Sequence, residues 1–263
     1  MERPTISVMM PCYNNSKYID QAVQSVLSQT WQDLELLIVD DASTDESVAM
    51  IRSCGDRRIR LIRNERNRGI AAVRNQLLSL ARGQFLTSLD GDDLYQNEEK
   101  LAREFTLMPL AGSAQERTIV YSDIEWIDAA GRRLSRASES SPAQEGILFQ
   151  GLLDRNIMIP RDYLVAATLA KGVGGFDENL AIYEDWDYKL RLAQRGRFVY
   201  TQRVGIGYRR HGGGLSSASK SLHQHCRELI RRKYGILGFE SRSSNWLRRT
   251  MHGLKHQAQQ KAA

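Results

Sequence analysis

Leu34-Glu35-Leu36-Leu37-Ile38-Val39-Asp40-Asp41 is an apolar run, broken once by Glu35, that ends in two acids. Phe85-Leu86-Thr87-Ser88-Leu89 runs into Asp90-Gly91-Asp92-Asp93 in the same way. Short apolar runs bounded by turn-forming residues read as buried strands. Ile6 to Met10 ends at Pro11 and reads as another, and Arg58 to Arg63 as a further one. Helical stretches lie between them. Ser16, an N-cap candidate, precedes Ile19, Val23, Val26 and Leu27 at helical spacing. Ser43-Thr44-Asp45-Glu46 has the capping-box pattern and opens Ser47 to Arg52. Ile70 to Ala81 and about Asn97 to Leu107 complete the set. This alternation predicts an α/β chain of parallel βαβ units, in which ligands bind beyond the carboxyl ends of strands. Acids stand at two such ends.

The regularity then breaks. Thr118 to Tyr121 and Ile124 to Asp128 read as strands, with Ala130-Gly131 as a turn, and Arg136 to Gly146 as a flexible loop. Asp162 to Ala170 reads as a helix and Tyr183 to Arg195 as another. Phe198 to Thr201 and Val204 to Tyr208 read as strands, Gly212-Gly213-Gly214 as a mobile loop, and the chain from Lys220 as a basic helix.

With 263 residues, 41% hydrophobic and 26% charged, wholesale disorder, collagen and coiled coil are excluded. No apolar run approaches the ~20 residues of a membrane span, and Met1-Glu2-Arg3-Pro4 lacks a secretory pattern, so a soluble cytoplasmic protein is expected. Cys12, Cys54 and Cys226 have neither disulfide-framework nor zinc spacing and read as incidental thiols. Charge is split. From Arg197 onward there are 14 Lys and Arg against two acids, whereas the preceding residues carry 23 basic and 29 acidic groups. A basic tail on an acidic body suits an anionic partner (nucleic acid, anionic lipid or a phosphorylated substrate) or is simply a solvated helical face.

Asp90, Asp92 and Asp93 crowd three carboxylates into four residues. Such oxygen ligands suit Mg²⁺ or Mn²⁺ bridging to phosphates, with a solvated helix-capping turn as the plain alternative. Asp40-Asp41 fits a hydrogen bond to a ribose or base, or a helix cap. Glu184-Asp185-Trp186-Asp187 offers a general base raised in pKa by like charges, or acids favoured by a helix dipole. Arg209-Arg210-His211 on a glycine-rich loop suits phosphate closure or metal ligation, or a surface turn. Arg74 suits a bidentate pyrophosphate clamp, or solvent.

These pieces, in this order, resemble glycosyltransferase family 2, the inverting nucleotide-sugar enzymes of the GT-A fold. The resemblance rests on Ser7 to Asn14, Ser28-Gln29-Thr30, Asp40 to Asp45, Asn67-Arg68-Gly69, Arg74-Asn75, Asp90 to Asp93 as a DxD element, Gly174 to Glu178, Glu184 to Asp187, and Tyr208 to His211 with Ser216-Ser217. It implies a Rossmann-like, mostly parallel central sheet flanked by helices. A catalytic domain over residues 1–217 would divide into a nucleotide-binding half (1–110) and an acceptor half (111–217), followed by a basic helical extension (218–263). It implies that Pro11, Tyr13 and Asp41 hold the nucleobase, that Asp90 lies near the ribose, and that Arg74 lies near the diphosphate or sugar. Asp92, Asp93 and His211 would hold Mn²⁺ or Mg²⁺, Asp185 would be the base, and Glu184 and Trp186 would shape the acceptor site. The implied partners are a nucleotide-sugar, UDP-linked first, and a glycan or lipid-linked acceptor. An anionic membrane, met at its inner face through the tail, is a further expected partner, and no specific nucleic acid is. A nucleotidyltransferase would want a glycine-rich basic loop where Pro11-Cys12-Tyr13-Asn14-Asn15 stands. A non-catalytic binder of nucleotide-sugars or nucleic acid is the remaining alternative.

Overall fold

The structure, a computed structural model, describes residues 4–109, 112–139, 143–211 and 219–235. The first half alternates β1 (Ile6–Cys12), α1 (Ile19–Leu27), β2 (Leu34–Asp40), α2 (Ser47–Ser53), β3 (Ile59–Arg63), α3 (Ile70–Leu80) and β4 (Phe85–Ser88). After it come β5 (Leu94–Tyr95), α4 (Lys100–Thr106), α5 (Ser113–Arg117), β6 (Thr118–Ile127), β7 (Arg133–Arg136), α6 (Phe149–Leu153) and β8 (Leu164–Ala166). The described chain closes with α7 (Ala167–Gly172), α8 (Glu184–Ala193), β9 (Arg197–Arg209) and α9 (Lys220–Lys233).

One sheet runs in the order β3-β2-β1-β4-β8-β6-β9-β5, with β7 beside β6. β1, β2, β3 and β4 are mutually parallel, and β9 is parallel to β6, whereas β8, β5 and β7 join antiparallel. Strand order reverses between β1 and β4, so the crevice of a doubly wound sheet opens beyond Cys12 and Ser88. Cys12 pairs with Asp40 and Met9 with Ser88, which brings the Pro11, Asp41 and Asp90 loops to one edge.

Alternate residues of the central strands feed two cores. Leu37, Val39 and Leu86 face α3, α7 and α8, while Ile6, Val8, Met10, Leu36 and Ile38 face α1 and α2. Glu35 survives in this buried run because it is fully engaged. It accepts from the Ser7 hydroxyl at 2.6 Å and from the Arg82 backbone N–H at 2.8 Å.

The predicted strands and helices of the first half stand, with small shifts. The first helix begins at Ile19 with Tyr18, not Ser16, at the N-cap position, and the Ser16 N–H donates to Asp45 at 2.9 Å. The two strands expected over 118–128 are one strand, β6, whose register shifts at Asp123 absorb the polar Ser122-Asp123 step. The two expected over 198–208 also merge, bending at Gln202 (φ 58°). The helix expected over 162–170 is wrong in its first half. Leu164–Ala166 is a strand wedged between β4 and β6, because a short apolar run reads alike for either state until its neighbours are known. Part of the loop expected over 136–146 is a 3₁₀ turn at Ala137–Glu139. The glycine loop at 212–214, Ser216-Ser217 and the chain after 235 lie outside the described residues. The tail's first helix, α9, is capped by Ser219 and packs Cys226 and Ile230 into the larger core. Cys12 is buried as well, and burial with nearby Asp40 pushes its thiol up to about 12, which makes it inert.

Candidate active site

The β1 and β2 ends are knitted together before any ligand arrives. Asn14 (φ 52°) and Ala42 (φ 63°) both take left-handed backbone, strain of a kind that gathers at binding loops. The Asn14 N–H donates to Ser43 at 2.9 Å, the Thr44 N–H donates to the Asn14 side chain at 2.9 Å, and the Asn15 N–H donates to Ser47 at 2.8 Å. Ser43 of the expected capping box and Ser47 at the start of the helix therefore brace the neighbouring loop. Pro11 is buried at the end of β1, whereas Tyr13 is 49% exposed beside it, an aromatic face open to a planar ligand. Asp41 is buried. Its carboxylate accepts from the Asn64 side chain at 2.8 Å and from the Arg68 and Gly69 N–H groups at 2.9 Å each. It thereby fixes the entrance to α3.

The acidic turn after β4 is crossed by two arginines. Arg74, on α3, donates through Nη2 to Asp90 at 2.9 and 3.1 Å and through Nε to Glu184 at 3.1 Å. Arg161 reaches Asp90 at 2.9 Å and Asp93 at 3.6 Å. The sequence singled out Arg74 but missed Arg161, which sits in an irregular segment with no periodicity to mark it. Gly91 lets the turn close, since a Cβ there would stand 3.0 Å from Asn15 Oδ1 and 3.1 Å from Ile19. At the other wall β9 returns beside β5. The Arg209 N–H donates to Asp93 at 2.8 Å, its Nε donates to the Asp92 carbonyl at 2.8 Å, and His211 Nε2 lies 2.9 Å from Asp92 Oδ2. Arg209, which the sequence offered for phosphate, is thus a buried bracket for the turn.

Oxygens of Asp90, Asp92 and Asp93 lie within 4.8 Å of one another. Asp93 Oδ2 is buried and has no hydrogen-bond partner among the described residues. Burial, with Asp92 and Asp90 nearby, raises the Asp93 carboxyl well above its usual range. A buried carboxylate oxygen without a hydrogen bond, its nearest cation Arg161 at 3.6 Å, in an all-oxygen cluster fits a hard divalent cation. Both arginines meet on Asp90, so Asp92, and Asp93 with only the more distant Arg161, are the carboxylates left for it.

Glu184 and Asp185 open α8 and face that turn. The expectation of a general base raised by like charges fails at Asp185. Burial raises Glu184 despite Arg74. Burial would raise Asp185 too, but Lys189 (3.3 Å away), Arg161 and Arg74 outweigh it and hold Asp185 below the usual carboxylate range. Asp185 is therefore an ionised acceptor at neutral pH. Trp186 packs in the larger core, with its indole N–H donated to the Leu152 carbonyl at 2.8 Å. A cavity of about 20 Å³ lies between Arg74, Arg161, Asp185 and Ser88, floored by Leu77 and Val165.

Behind the turn, Asp162 is fully buried and neither carboxyl oxygen has a hydrogen-bond partner among the described residues. Burial pushes it up to about 7, against the lowering influence of Arg161. The folded protein then holds this proton more tightly than the unfolded chain, so stability falls as pH rises from about 4 to about 7. Between pH 5.5 and 8 the loss is about 2 kcal/mol, or roughly 4–8 °C in melting temperature. Asp162→Asn, which cannot ionise, is expected to lack that part of the decline. Parallel melting curves for the two proteins across this range would overturn the assignment.

The glycosyl transferase family 2 model matches residues 7–157. An uncharacterized glycosyltransferase of Haemophilus influenzae is 33% identical over 153 residues, 57% of this chain and 59% of that protein. The succinoglycan biosynthesis protein ExoO of Rhizobium meliloti is 27% identical over 271 residues, covering 96% of this chain and 74% of that one. Among solved structures, S. aureus TarS 1-349 in complex with UDP-GlcNAc superposes with a TM-score of 0.69 at 19% identity, over 92% of this chain and 70% of that one. At that identity the likeness is one of fold, the GT-A type with its curled central sheet. Matching over more than half of its length, the chain belongs to glycosyl transferase family 2.

Proposed function

We propose that the chain is a metal-dependent, inverting glycosyltransferase that moves a sugar from a UDP-sugar to a hydroxyl of a glycan or lipid-linked acceptor. One observation carries this reading. Arg74 ties Asp90 to Glu184, so the acidic turn is joined to the start of the helix that carries the ionised Asp185. The UDP-GlcNAc complex of a protein with the same fold supports the donor class, and the succinoglycan name of one relative supports a polysaccharide setting.

Asp185 takes the proton of the acceptor hydroxyl as its oxygen bonds to the anomeric carbon. The bond from that carbon to the phosphate oxygen breaks on the opposite face, so configuration inverts. One carboxylate base suffices because no glycosyl-enzyme forms. Tyr13 and Pro11 lie against the base, Asp41 shapes that pocket, and Arg74 and Arg161 face the sugar and diphosphate. Asp92, Asp93 and His211 would hold Mn²⁺ or Mg²⁺, which supplies charge neutralisation for the leaving diphosphate. Glu184 lies at the acceptor side, while Trp186 supports that wall from within the core.

Among the described residues no helix is long and apolar enough to cross a membrane. Docking at the inner face of an anionic membrane therefore rests on the basic charge of α9 and of residues 236–263.

Calorimetric titration of UDP, dTDP and GDP, each with Mn²⁺ and with EDTA, tests the donor and metal together. UDP is expected to bind with Mn²⁺, and Asp92→Asn is expected to weaken that binding at least about tenfold, the effect of losing one charged ligand. Binding of UDP that is indifferent to EDTA and to Asp92→Asn would remove the metal from the proposal.

A further inference from the structure

Tyr183 stands immediately before Glu184 and Asp185, and its backbone is left-handed (φ 69°), a conformation a tyrosine rarely adopts unaided. Its carbonyl accepts the first two N–H groups of the turn, those of Trp186 and Asp187, at 3.1 Å each. Whatever fixes Tyr183 therefore fixes the start of α8 and the direction of Asp185. Its ring is covered by the Arg155 guanidinium at 4.8 Å and meets Trp186 edge-on at 5.9 Å. Its hydroxyl lies 2.9 Å from Nδ1 of His223, on α9.

α9 holds α8 at a second point as well. The fully buried Asp187, one residue past Trp186, pairs with Lys233 at 2.9 Å and accepts from the Tyr234 hydroxyl at 3.2 Å. Cys226 and Ile230, buried between these two points, seat the helix in the core. The basic helix is thus a brace spanning the helix that carries Asp185, and His223 is its contact nearest that residue.

We propose that His223 is a positioning residue for Asp185, acting through the Tyr183 hydroxyl to hold the left-handed turn that aims the carboxylate. The proposal rests on the reading of Asp185 as base, so its test has one readout that depends on that reading and one that does not.

The independent readout is hydrogen exchange of the segment 184–190 in the full chain. His223→Leu is expected to raise exchange there about five- to tenfold, the loss of one hydrogen bond, while the β1–β4 region is unchanged. Tyr183→Phe should do the same, and the double variant should be no worse than either single one, because both remove one interaction. His223→Gln, which keeps a polar group toward the hydroxyl, should restore protection. The dependent readout is UDP release from UDP-GlcNAc with Mn²⁺, water serving as acceptor. Its kcat should fall about five- to tenfold in His223→Leu with donor KM within about twofold. Unchanged exchange in His223→Leu, or additive effects in the double variant, would overturn the brace. Increased exchange with unchanged kcat would overturn its link to catalysis and count against Asp185 as base.

Discussion

Replacing Asp185 with asparagine is expected to lower turnover about 10²–10⁴-fold, the contribution of a positioned general base, with UDP affinity within about twofold of wild type. Asparagine keeps the shape of the side chain and loses the negative charge, and with it the ability to take a proton. Asp185 pairs with Lys189 at 3.3 Å, and Lys189 keeps its 2.9 Å bond to the Ile159 carbonyl when the carboxylate is gone. The neighbouring Glu184 is a poor substitute. It is held by Arg74, and burial raises its pKa, so it is neither free to turn nor as fully ionised. The cations around Asp185 also predict a pH profile. Since they hold it below the usual carboxylate range, activity should not fall on the acid side until well below neutral pH. UDP release by Asp185→Asn at the wild-type rate would remove the base from the mechanism.

The first half of this fold was legible because each strand there is a continuous apolar run and each helix has its own stripe. Those local patterns survive whatever packs against them. The carboxyl-end acids were legible for the same reason, since Asp90, Asp92 and Asp93 follow such a run directly. Arg161 was not. It precedes a strand of three residues whose identity depends on β4 and β6 lying on either side, and it reaches Asp90 only through that tertiary placement. The same holds for His223, which joins the site's supporting wall across 40 residues of sequence. Trp186 was read as an acceptor contact from its place in the motif, yet its position on α8 turns it into the core, against the Leu152 carbonyl. A motif gives the order of residues, whereas the helix phase decides which of them face the cavity. Asp185 and Trp186, adjacent in sequence, are separated in just this way.

Arg74→Met is expected to destabilise the protein by about 3–5 kcal/mol, roughly 6–20 °C in melting temperature, because it leaves a buried charge without its partner. The two carboxylates that share Arg74 are not equally exposed to this loss. Asp90 retains Arg161 at 2.9 Å, whereas Glu184, only 4% exposed, loses the one cation that touches it among the described residues. Glu184 already has a raised pKa, and without Arg74 it is driven further toward its neutral form. A carboxyl with a raised folded pKa stabilises the folded state most at low pH and loses that contribution as pH rises. The deficit of Arg74→Met should therefore be smaller at pH 5 than at pH 8. Glu184→Gln added to Arg74→Met should recover a large part of the loss at pH 8, since the orphaned charge is then absent. A deficit below about 1 kcal/mol, or one that neither pH nor Glu184→Gln relieves, would mean that solvent reaches Glu184 and that the arginine does not hold the two walls of the site together.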